Sequence, residues 1–299
     1  MTIVQQMAAR CAQGFAASST IGDTRRHARV GRAFHPFVTR LSMKVSRRFP
    51  VFCGAVLALA ASAPSMAADG AYVRLGVAAE WSRDAHFRDR DCAATAPPAL
   101  FGCGAGRDGR TLGARGDFGD GHAFDVAVGR RFSPMLRGEL LLTHRRGFDF
   151  DGQANFLNVA GPQPVGGSLR STALFAAGYV DLAPIGRVQP FVGAGVGLAR
   201  NRVGSMRYGF PGLGANASTT VSGGSHTGFA WMAAAGVNVA LDAGWSVDVA
   251  WRYTDLGRVR SDHGDATIVR SSGSFDLDIA GTRARLRTHG LSLGLRRSF

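Results

Sequence analysis

The last nine residues of the chain, 291–299, alternate between apolar side chains and small or polar ones. Successive residues of a β-strand point to opposite faces, so a strand with this pattern has one apolar face. That face carries Leu291, Leu293, Leu295 and Phe299. A terminal strand with a free apolar edge promotes aggregation, whereas a closed barrel removes the edge by pairing the last strand with the first. The pattern therefore predicts barrel closure; the alternative is an ordinary terminal strand of a soluble β-sandwich.

The same alternation recurs from residue 71 onward, in glycine-rich segments separated by turn residues. This pattern is typical of β-strands. No stretch beyond residue 67 holds the roughly 18 consecutive apolar residues of a membrane-spanning helix. We predict eight strands, near residues 71–81, 122–132, 136–145, 170–182, 188–199, 229–241, 245–253 and 283–299.

The connections between these strands alternate in length. The short turns lie at residues 133–135, 183–187 and 242–244. The long connections lie at about residues 82–121, 146–169, 200–227 and 254–282. Short turns on one side and long loops on the other are the layout of an outer-membrane barrel. The predicted fold is all-β: an eight-stranded antiparallel transmembrane β-barrel with short periplasmic turns and four long extracellular loops.

The seventh predicted strand, residues 245–253, has the dimensions of a membrane span. Its length is roughly 26 Å along the strand, and a tilt near 40° reduces this to roughly 20 Å, close to the apolar band of about 25 Å. Trp245 and Tyr253 at its two ends fit the two membrane interfaces. A soluble lipocalin-like barrel, with apolar residues inside, shows the same alternation. The export signal and the loop asymmetry favour the membrane.

The export signal occupies residues 43–67. A basic start precedes an apolar core at residues 51–63, which is too short to span a bilayer as a helix. Small residues then predict cleavage after Ala67, or after Ala68. The alternative is a buried helix of a folded domain, but the three regions occur in the order of a secretory signal.

Residues 1–42 precede this complete signal, and they hold six arginines and a single acid, Asp23. A signal peptide begins near the N-terminus, so we interpret Met43 as the true start. Residues 1–42 are then a mis-assigned start or a disordered leader; the alternative is a genuine, unusually long leader. The exported domain comprises residues 68–299, and N-terminal sequencing of the precursor and mature forms separates these interpretations.

The net charge of the exported domain is modest. The whole chain has a formal net charge of +14, but nine basic residues and one acid fall within residues 1–67. The remainder holds 26 basic and 20 acidic residues, a net charge of +6. Nucleic-acid binding requires a concentrated basic face, so we predict no nucleic-acid partner.

Two cysteines, Cys92 and Cys103, remain after removal of the leader. An even pair in an exported chain predicts a disulfide formed in an oxidising compartment. Free thiols or a metal pair are the alternatives. We expect the bridge to close a small ring near the outer end of the first strand.

The inward faces of the predicted strands carry charges of both signs. An eight-stranded barrel has a lumen just wide enough for side chains, and unpaired charges there would be very costly. We therefore predict ion pairs across the lumen and no wide aqueous pore. The predicted inward residues are Arg74, Glu80, Asp125, Arg131, Arg137, Glu139, Arg145, Asp248, Arg252 and Arg296.

Sequence motifs for enzymatic or cofactor chemistry are weak. The glycines of residues 193–197 have the spacing G-x-G-x-G and precede no helix, which excludes a dinucleotide loop. Asp149 and Asp151 match the start of a calcium loop whose later ligands are missing. No histidine is followed two residues later by the serine of a barrel lipid deacylase. We predict no catalytic residue, no cofactor and no metal.

Several strands resemble a known family. Residues 189–199 resemble the glycine-alternating strand of the opacity-type outer-membrane β-barrel family, which is related to the OmpA-like transmembrane domain. Gly236, Val237 and residues 245–257 resemble that family's sixth and seventh strands. The resemblance covers residues 70–299. It implies an eight-stranded barrel in the outer membrane of a Gram-negative bacterium, of a family described as porin-like or surface antigen.

These observations predict a non-enzymatic barrel for envelope integrity and for surface interaction through its extracellular loops. A narrow porin-like channel and a lipid-modifying enzyme are the alternatives. The expected partners are outer-membrane lipid and lipopolysaccharide, the barrel-assembly machinery and a surface ligand of the loops, and the expected state is a monomer.

The terminal strand yields the first testable prediction. A last strand that ends in Phe299 resembles the assembly signal of outer-membrane barrels, although Arg297 departs from that pattern. Removal of Phe299 should leave misassembled protein in the periplasm, because the residue closes the apolar face against the first strand. Cell fractionation and heat-modifiable gel mobility measure this. Normal outer-membrane levels of the truncated chain would contradict the prediction.

Overall fold

The computed structural model describes residues 70–157 and 159–299. The leader at residues 1–42, the signal at 43–67 and the cleavage positions Ala67 and Ala68 lie outside the described residues. Within the described ranges, no helix combines the length and apolar character that crossing a membrane requires.

The described residues form thirteen β-strands and a short 3₁₀ turn at Pro211–Leu213. The strands are β1 (Ala71–Ser82), β2 (Ala85–Asp89), β3 (Gly113–Asp117), β4 (Asp120–Arg131), β5 (Leu136–Asn155), β6 (Pro164–Asp181), β7 (Val188–Gly209), β8 (Ser218–Val221), β9 (Gly224–Ala240), β10 (Trp245–Arg260), β11 (Gly264–Arg270), β12 (Gly273–Ile279) and β13 (Thr282–Ser298). The prediction of an all-β chain of antiparallel strands is confirmed.

Eight long strands pair in a closed ring. Their order is β1, β4, β5, β6, β7, β9, β10 and β13, and β13 returns to β1. The last and first strands meet with Leu295 opposite Leu75, and the Phe299 N–H donates a hydrogen bond to the Ala71 carbonyl at 2.9 Å. The terminal apolar residues Leu291 and Leu293 face outward and are exposed. The chain therefore has no free edge at its C-terminal strand.

The other five strands lie in the long connections. β2 and β3 follow β1, β8 follows β7, and β11 and β12 follow β10. The long strands also extend further than predicted: β5 continues past Arg145 to Asn155, and β7 continues past Ala199 to Gly209. Much of the sequence that was predicted to be loop therefore forms β-sheet, which extends the barrel beyond the ends of the predicted strands.

The polarity of the wall reverses at this extension. In the first half of β5, Arg137 and Glu139 are buried inside while Leu140 and Leu142 are exposed outside. Beyond Arg145 the pairing of β5 with β6 shifts register, and the inward residues become apolar. Phe148 and Phe150 then point inward, while Asp149 and Asp151 point outward. The lower wall is apolar outside and charged inside, and the upper wall has the opposite arrangement.

Glycines with positive φ lie at the reversals. Gly147 in β5 has φ 85° and Gly257 in β10 has φ 74°, a region that favours glycine over other residues. The register of β10 with β13 shifts between Asp255 and Arg258, across Gly257. A β-bulge adds one residue to a strand, so the side chains beyond it change faces. The bulges therefore allow a single strand to bury charged residues inside its lower half and apolar residues inside its upper half.

The parity of β6, which the sequence left ambiguous, is now defined. Leu174 is 53% exposed on the outer wall, and its neighbour Phe175 is fully buried inside. Small residues occupy both faces here, so the local sequence does not distinguish them. The pairing of Leu174 with Leu142 on β5 fixes the choice.

The bulge in β5 yields the second prediction. Gly147→Ala should lower the free energy of unfolding by about 1 kcal/mol or more, because a Cβ is strained at positive φ. Gly178→Ala on β6 is the matched control, since its φ is not positive and an added Cβ would meet no atom within 4 Å. The temperature at which each variant loses heat-modifiable mobility measures the difference. Equal midpoints for the two variants would show that the bulge tolerates a side chain.

Candidate functional site

The lower interior of the ring is filled by a lumen network of buried charges. It contains five arginines and five carboxylates, all buried, so the two signs balance. The members are Arg74, Glu80, Asp125, Arg137, Glu139, Arg145, Asp181, Asp248, Arg252 and Arg296.

Glu80 on β1 connects two arginines of different strands. Its Oε2 accepts hydrogen bonds from Arg145 Nε at 2.7 Å and from Thr288 Oγ1 at 3.1 Å. Its Oε1 accepts one from Arg252 Nη2 at 3.0 Å, and Arg252 Nη1 also donates to Asp125 Oδ2 at 2.8 Å. These contacts join β1, β4, β5, β10 and β13 across the lumen. Charge-assisted bonds of this kind are about twice as strong as neutral ones.

A second group of pairs lies closer to the short turns. Arg74 Nη2 donates to Glu139 Oε1 at 2.5 Å, and Arg296 Nη2 donates to both oxygens of Asp248 at 2.7 and 2.8 Å. The two pairs are linked, because Arg74 Nε lies 3.9 Å from Asp248 Oδ2. Together the two groups cross-link opposite walls of the ring.

Arg137 and Asp181 complete the network at this end. Arg137 Nε donates to Asp181 Oδ1 at 2.9 Å, and the guanidinium lies 4.1 Å from the ring centroid of Tyr179. Asp181 was not among the predicted residues, because the parity of β6 was ambiguous. Planar stacking on an aromatic ring is a contact that arginine makes and lysine does not.

The predicted lumen residues fall into two groups. Arg74, Asp125, Arg137, Glu139, Asp248, Arg252 and Arg296 are buried in the interior, as are Glu80 and Arg145. Arg131 does not lie in the lumen: its side chain is 42% exposed at the end of β4, where it lies 3.5 Å from Asp181. The strand ends at Arg131, so its side chain reaches the rim.

Above the lumen network the interior is an aromatic core. Phe87, Phe118 and Phe150 are buried and pack with ring centroids 5.1 to 6.0 Å apart. Phe148 is fully buried beside them in the same apolar cluster. Sequence reasoning missed this core because its residues lie in the predicted loops. The apolar alternation of residues 148 and 150 after Gly147 is the signal that could have found it.

The first long connection closes the top of this core. Cys92 and Cys103 are joined by a disulfide. The Asp89 carboxylate accepts hydrogen bonds from the backbone N–H groups of Leu100, Phe101 and Gly102, at 2.8 to 3.0 Å. Burial raises the pKa of Asp89, and these three donors offset part of the rise. The disulfide-closed segment, residues 92–103, is therefore held against the barrel wall by Asp89.

Phe101, near the end of the disulfide-closed segment, inserts its side chain into the interior of the barrel. Its side chain is 6% exposed and packs against Phe156 and Tyr208, with centroids 4.8 and 5.8 Å away. Tyr208 is fully buried, and burial raises the pKa of its hydroxyl. The barrel is thus filled by charges below, by aromatic rings above and by a loop at its mouth.

Metal-binding clusters and surface grooves are the other features that could form a site. In residues 70–157 and 159–299 no group of three His, Cys, Asp or Glu side chains is placed to hold a metal ion. Two grooves of this part of the chain lie on the outer wall, beside Val128, Leu140, Ala176 and Val196. What the interior provides is rigidity and closure.

The lumen network yields the third prediction. Glu80→Ala should destabilise the barrel by about 3–5 kcal/mol, because it leaves Arg145 and Arg252 buried without this partner. Asp242→Ala is the control, since it breaks an exposed pair with Arg187 whose loss should cost under about 1 kcal/mol. Glu80→Gln, which keeps one acceptor oxygen, should fall between them. Unfolding midpoints measure all three, and equal values for Glu80→Ala and Asp242→Ala would contradict the role of the network.

Comparison with known proteins identifies the family to which the chain belongs. The family model described as outer membrane protein beta-barrel domain matches residues 53–299. Outer membrane protein PagN of Salmonella typhimurium is 27% identical over 147 residues, which cover 48% of this chain and 60% of PagN. The matched part thus spans less than two thirds of that relative.

Two solved structures are similar in fold. Neisserial surface protein A is 17% identical, with 77% of this chain and 100% of that chain covered and a TM-score of 0.39. The outer membrane protease OmpT of Escherichia coli is 9% identical, with 80% and 99% covered and a TM-score of 0.47. The family match shows that the chain belongs to the outer-membrane protein β-barrel family and is a protein of the Gram-negative outer membrane.

Proposed function

We propose that this protein is a non-enzymatic, closed surface barrel that presents its extracellular loops to a binding partner and adds a rigid element to the envelope. In this proposal the ring of eight strands spans the membrane. The short turns at residues 133–135, 183–187 and 242–244 face the periplasm, and the four long connections face outward. The observation that carries the proposal is that the lumen network and the aromatic core occupy the interior of the ring formed by the described residues.

The filled interior argues against transport. A solute crossing the barrel would have to displace paired charges such as Arg252 with Asp125 and Glu80, and then pass the aromatic core around Phe150. Breaking a buried pair costs about 3–5 kcal/mol. Eight-stranded barrels have lumens that side chains fill, whereas aqueous channels belong to barrels of about 16 strands. This supports a binding role over a narrow channel.

The outer end of the barrel offers apolar contacts in water. Phe275 and Leu277 on β12 are 50% and 43% exposed, and Leu213 in the 3₁₀ turn is 51% exposed. Among the described strands, β12 pairs only with β11, at the end of the sheet β7-β8-β11-β12. Exposed apolar groups far from the membrane band are a feature of interaction surfaces. These exposed residues support the proposal that a partner binds the outer tip of the barrel, at β12 and the 3₁₀ turn.

The fourth prediction tests this function. Cells that express the protein should adhere to a cultured epithelial monolayer, and Phe275→Ser with Leu277→Ser should lower adhesion severalfold, since it removes the apolar contacts at the tip. Ile185→Ser is the matched control, because Ile185 is 75% exposed but lies in a short turn at the other end. Equal surface levels of each variant are required.

Purified wild-type protein in a planar bilayer should show no reproducible conductance, and lipid A from expressing cells should keep its mass. Reproducible conductance would favour the channel, and a changed lipid A mass would favour a lipid-modifying enzyme. Adhesion that is equal for wild type, tip variant and non-expressing cells would contradict the surface-binding role.

A further inference from the structure

The outer wall just above the apolar band carries a belt of arginines. On β13, Arg283, Arg285 and Arg287 point outward at alternate positions, directly above His289 and Leu291. The belt continues on the neighbouring strands. Its members are Arg88, Arg258, Arg260, Arg283, Arg285 and Arg287 on one side of the barrel, and Arg170, Arg200 and Arg202 on the other.

Several belt arginines face each other directly across paired strands. Arg258 is opposite Arg285, and Arg260 is opposite Arg283. On the other side of the barrel, Arg170 is opposite Arg202. Like charges directly opposite one another destabilise a sheet. These facing pairs therefore contribute no stability to the fold. An anion bound between the two arginines of a pair would reduce their electrostatic repulsion.

Carboxylates neutralise only a small part of the belt. Asp255 pairs with Arg285 at 2.7 Å and with Arg287 at 3.3 Å. In the part of the chain that the structure describes, no other carboxylate forms an ion pair with a belt arginine. Partial burial and the neighbours Arg90, Arg258 and Arg283 lower the pKa of Arg260.

The lower part of the belt lies at the height of the polar layer of a membrane. Trp81 and His289 pack together at 5.9 Å between ring centroids and mark the upper limit of the apolar wall. Arg287 precedes His289 by two residues and Arg283 precedes it by six, and a strand tilted near 40° places them roughly 5 and 15 Å higher along the barrel axis. The headgroup layer adds roughly 5–8 Å to each side of the hydrocarbon core. The lowest belt arginines therefore lie within that layer, and the highest lie roughly 7–10 Å above it.

The two sides of the belt are far apart around the ring. Arg170 on β6 and Arg287 on β13 are separated by four strand positions in the ring of eight. A soluble ligand contacts one side of a barrel, whereas a membrane surface surrounds it. Asp149 and Asp151 on the outer face of β5 interrupt the belt on the remaining side.

We infer that the arginine belt binds the phosphate groups of lipopolysaccharide in the outer leaflet. The planar guanidinium presents a fork of donors that matches phosphate, and lysine is absent beyond Lys44. The bound phosphates neutralise the facing arginine pairs and hold the barrel at a fixed height. The inference does not rest on the proposed loop function, because the belt and the tip of β12 are separate surfaces.

The test uses the purified full-length barrel in lipopolysaccharide-free detergent. Arg258→Gln with Arg260→Gln and Arg283→Gln removes three charges from the belt. The control, Arg107→Gln with Arg110→Gln and Arg270→Gln, removes three exposed charges that lie in the first long connection and at the end of β11, outside the belt. The probes are lipopolysaccharide, the same lipopolysaccharide after enzymatic dephosphorylation, and soluble heparin. Affinity and the shift of the unfolding midpoint are measured for each.

Wild type and the control should bind lipopolysaccharide and be stabilised by it, and the belt variant should bind about tenfold more weakly or worse. Without lipid, the belt variant should be at least as stable as wild type, because the facing charges are gone. Dephosphorylation should weaken binding by wild type, and raised salt should weaken it further. Equal binding by both triple variants, or equal binding of the dephosphorylated lipid, would overturn the inference. Stronger binding of heparin than of lipopolysaccharide would also overturn it, in favour of a soluble polyanion.

Discussion

Pairing of buried charges in the lumen is the interaction on which the rest of the structure depends. A guanidinium or carboxylate in this narrow space cannot be left unpaired without a cost of several kcal/mol. Each arginine of the lumen network therefore needs a carboxylate from another strand. Glu80 on β1 reaches Arg252 on β10 only when β13 closes the ring between them. The ring of strands must therefore close for the charges in the lumen to be paired.

The second constraint is a change of solvent along the axis of the barrel. In the proposed arrangement the wall below His289 faces hydrocarbon, which accounts for its outward apolar side chains and inward charges. Above His289 the proposed arrangement exposes the wall to water, and there the same strands bury phenylalanines inside and expose arginine and aspartate outside. Gly147 and Gly257 allow this exchange of faces within continuous strands. The extension thus has an apolar interior and a polar outer surface, the reverse of the lower wall.

These two constraints give the outer half its functional character. An aromatic core and a disulfide-closed segment occupy the interior and the mouth of the extension. Rigid scaffolds that carry exposed loops are suited to binding, because the loops lose little further freedom when a partner docks. The arginine belt lies between this extension and the apolar band. In the proposed arrangement, the lower wall contacts hydrocarbon, the arginine belt contacts lipid phosphates and the tip contacts a binding partner.

Local alternation in the sequence determined the membrane half of this protein. The outward parity of Trp245 to Tyr253, the apolar face of the last strand, and the inward charges such as Arg74 and Asp248 all follow from a period of two residues. Such alternation extends only as far as the strand is regular. The bulge at Gly147 interrupts the period, so the inward positions of Phe148 and Phe150 were not recognised.

Other features depended on partners that are distant in sequence. The burial of Asp181, the exposure of Arg131 at the rim and the anchoring of the cysteine ring by Asp89 each depend on which strand lies alongside. The facing arginines of the belt likewise become opposed only once β10 and β13 are in register. The sequence by itself determined which residues alternate. The tertiary structure decided which charges meet, because register and ring closure bring together side chains that the chain keeps far apart.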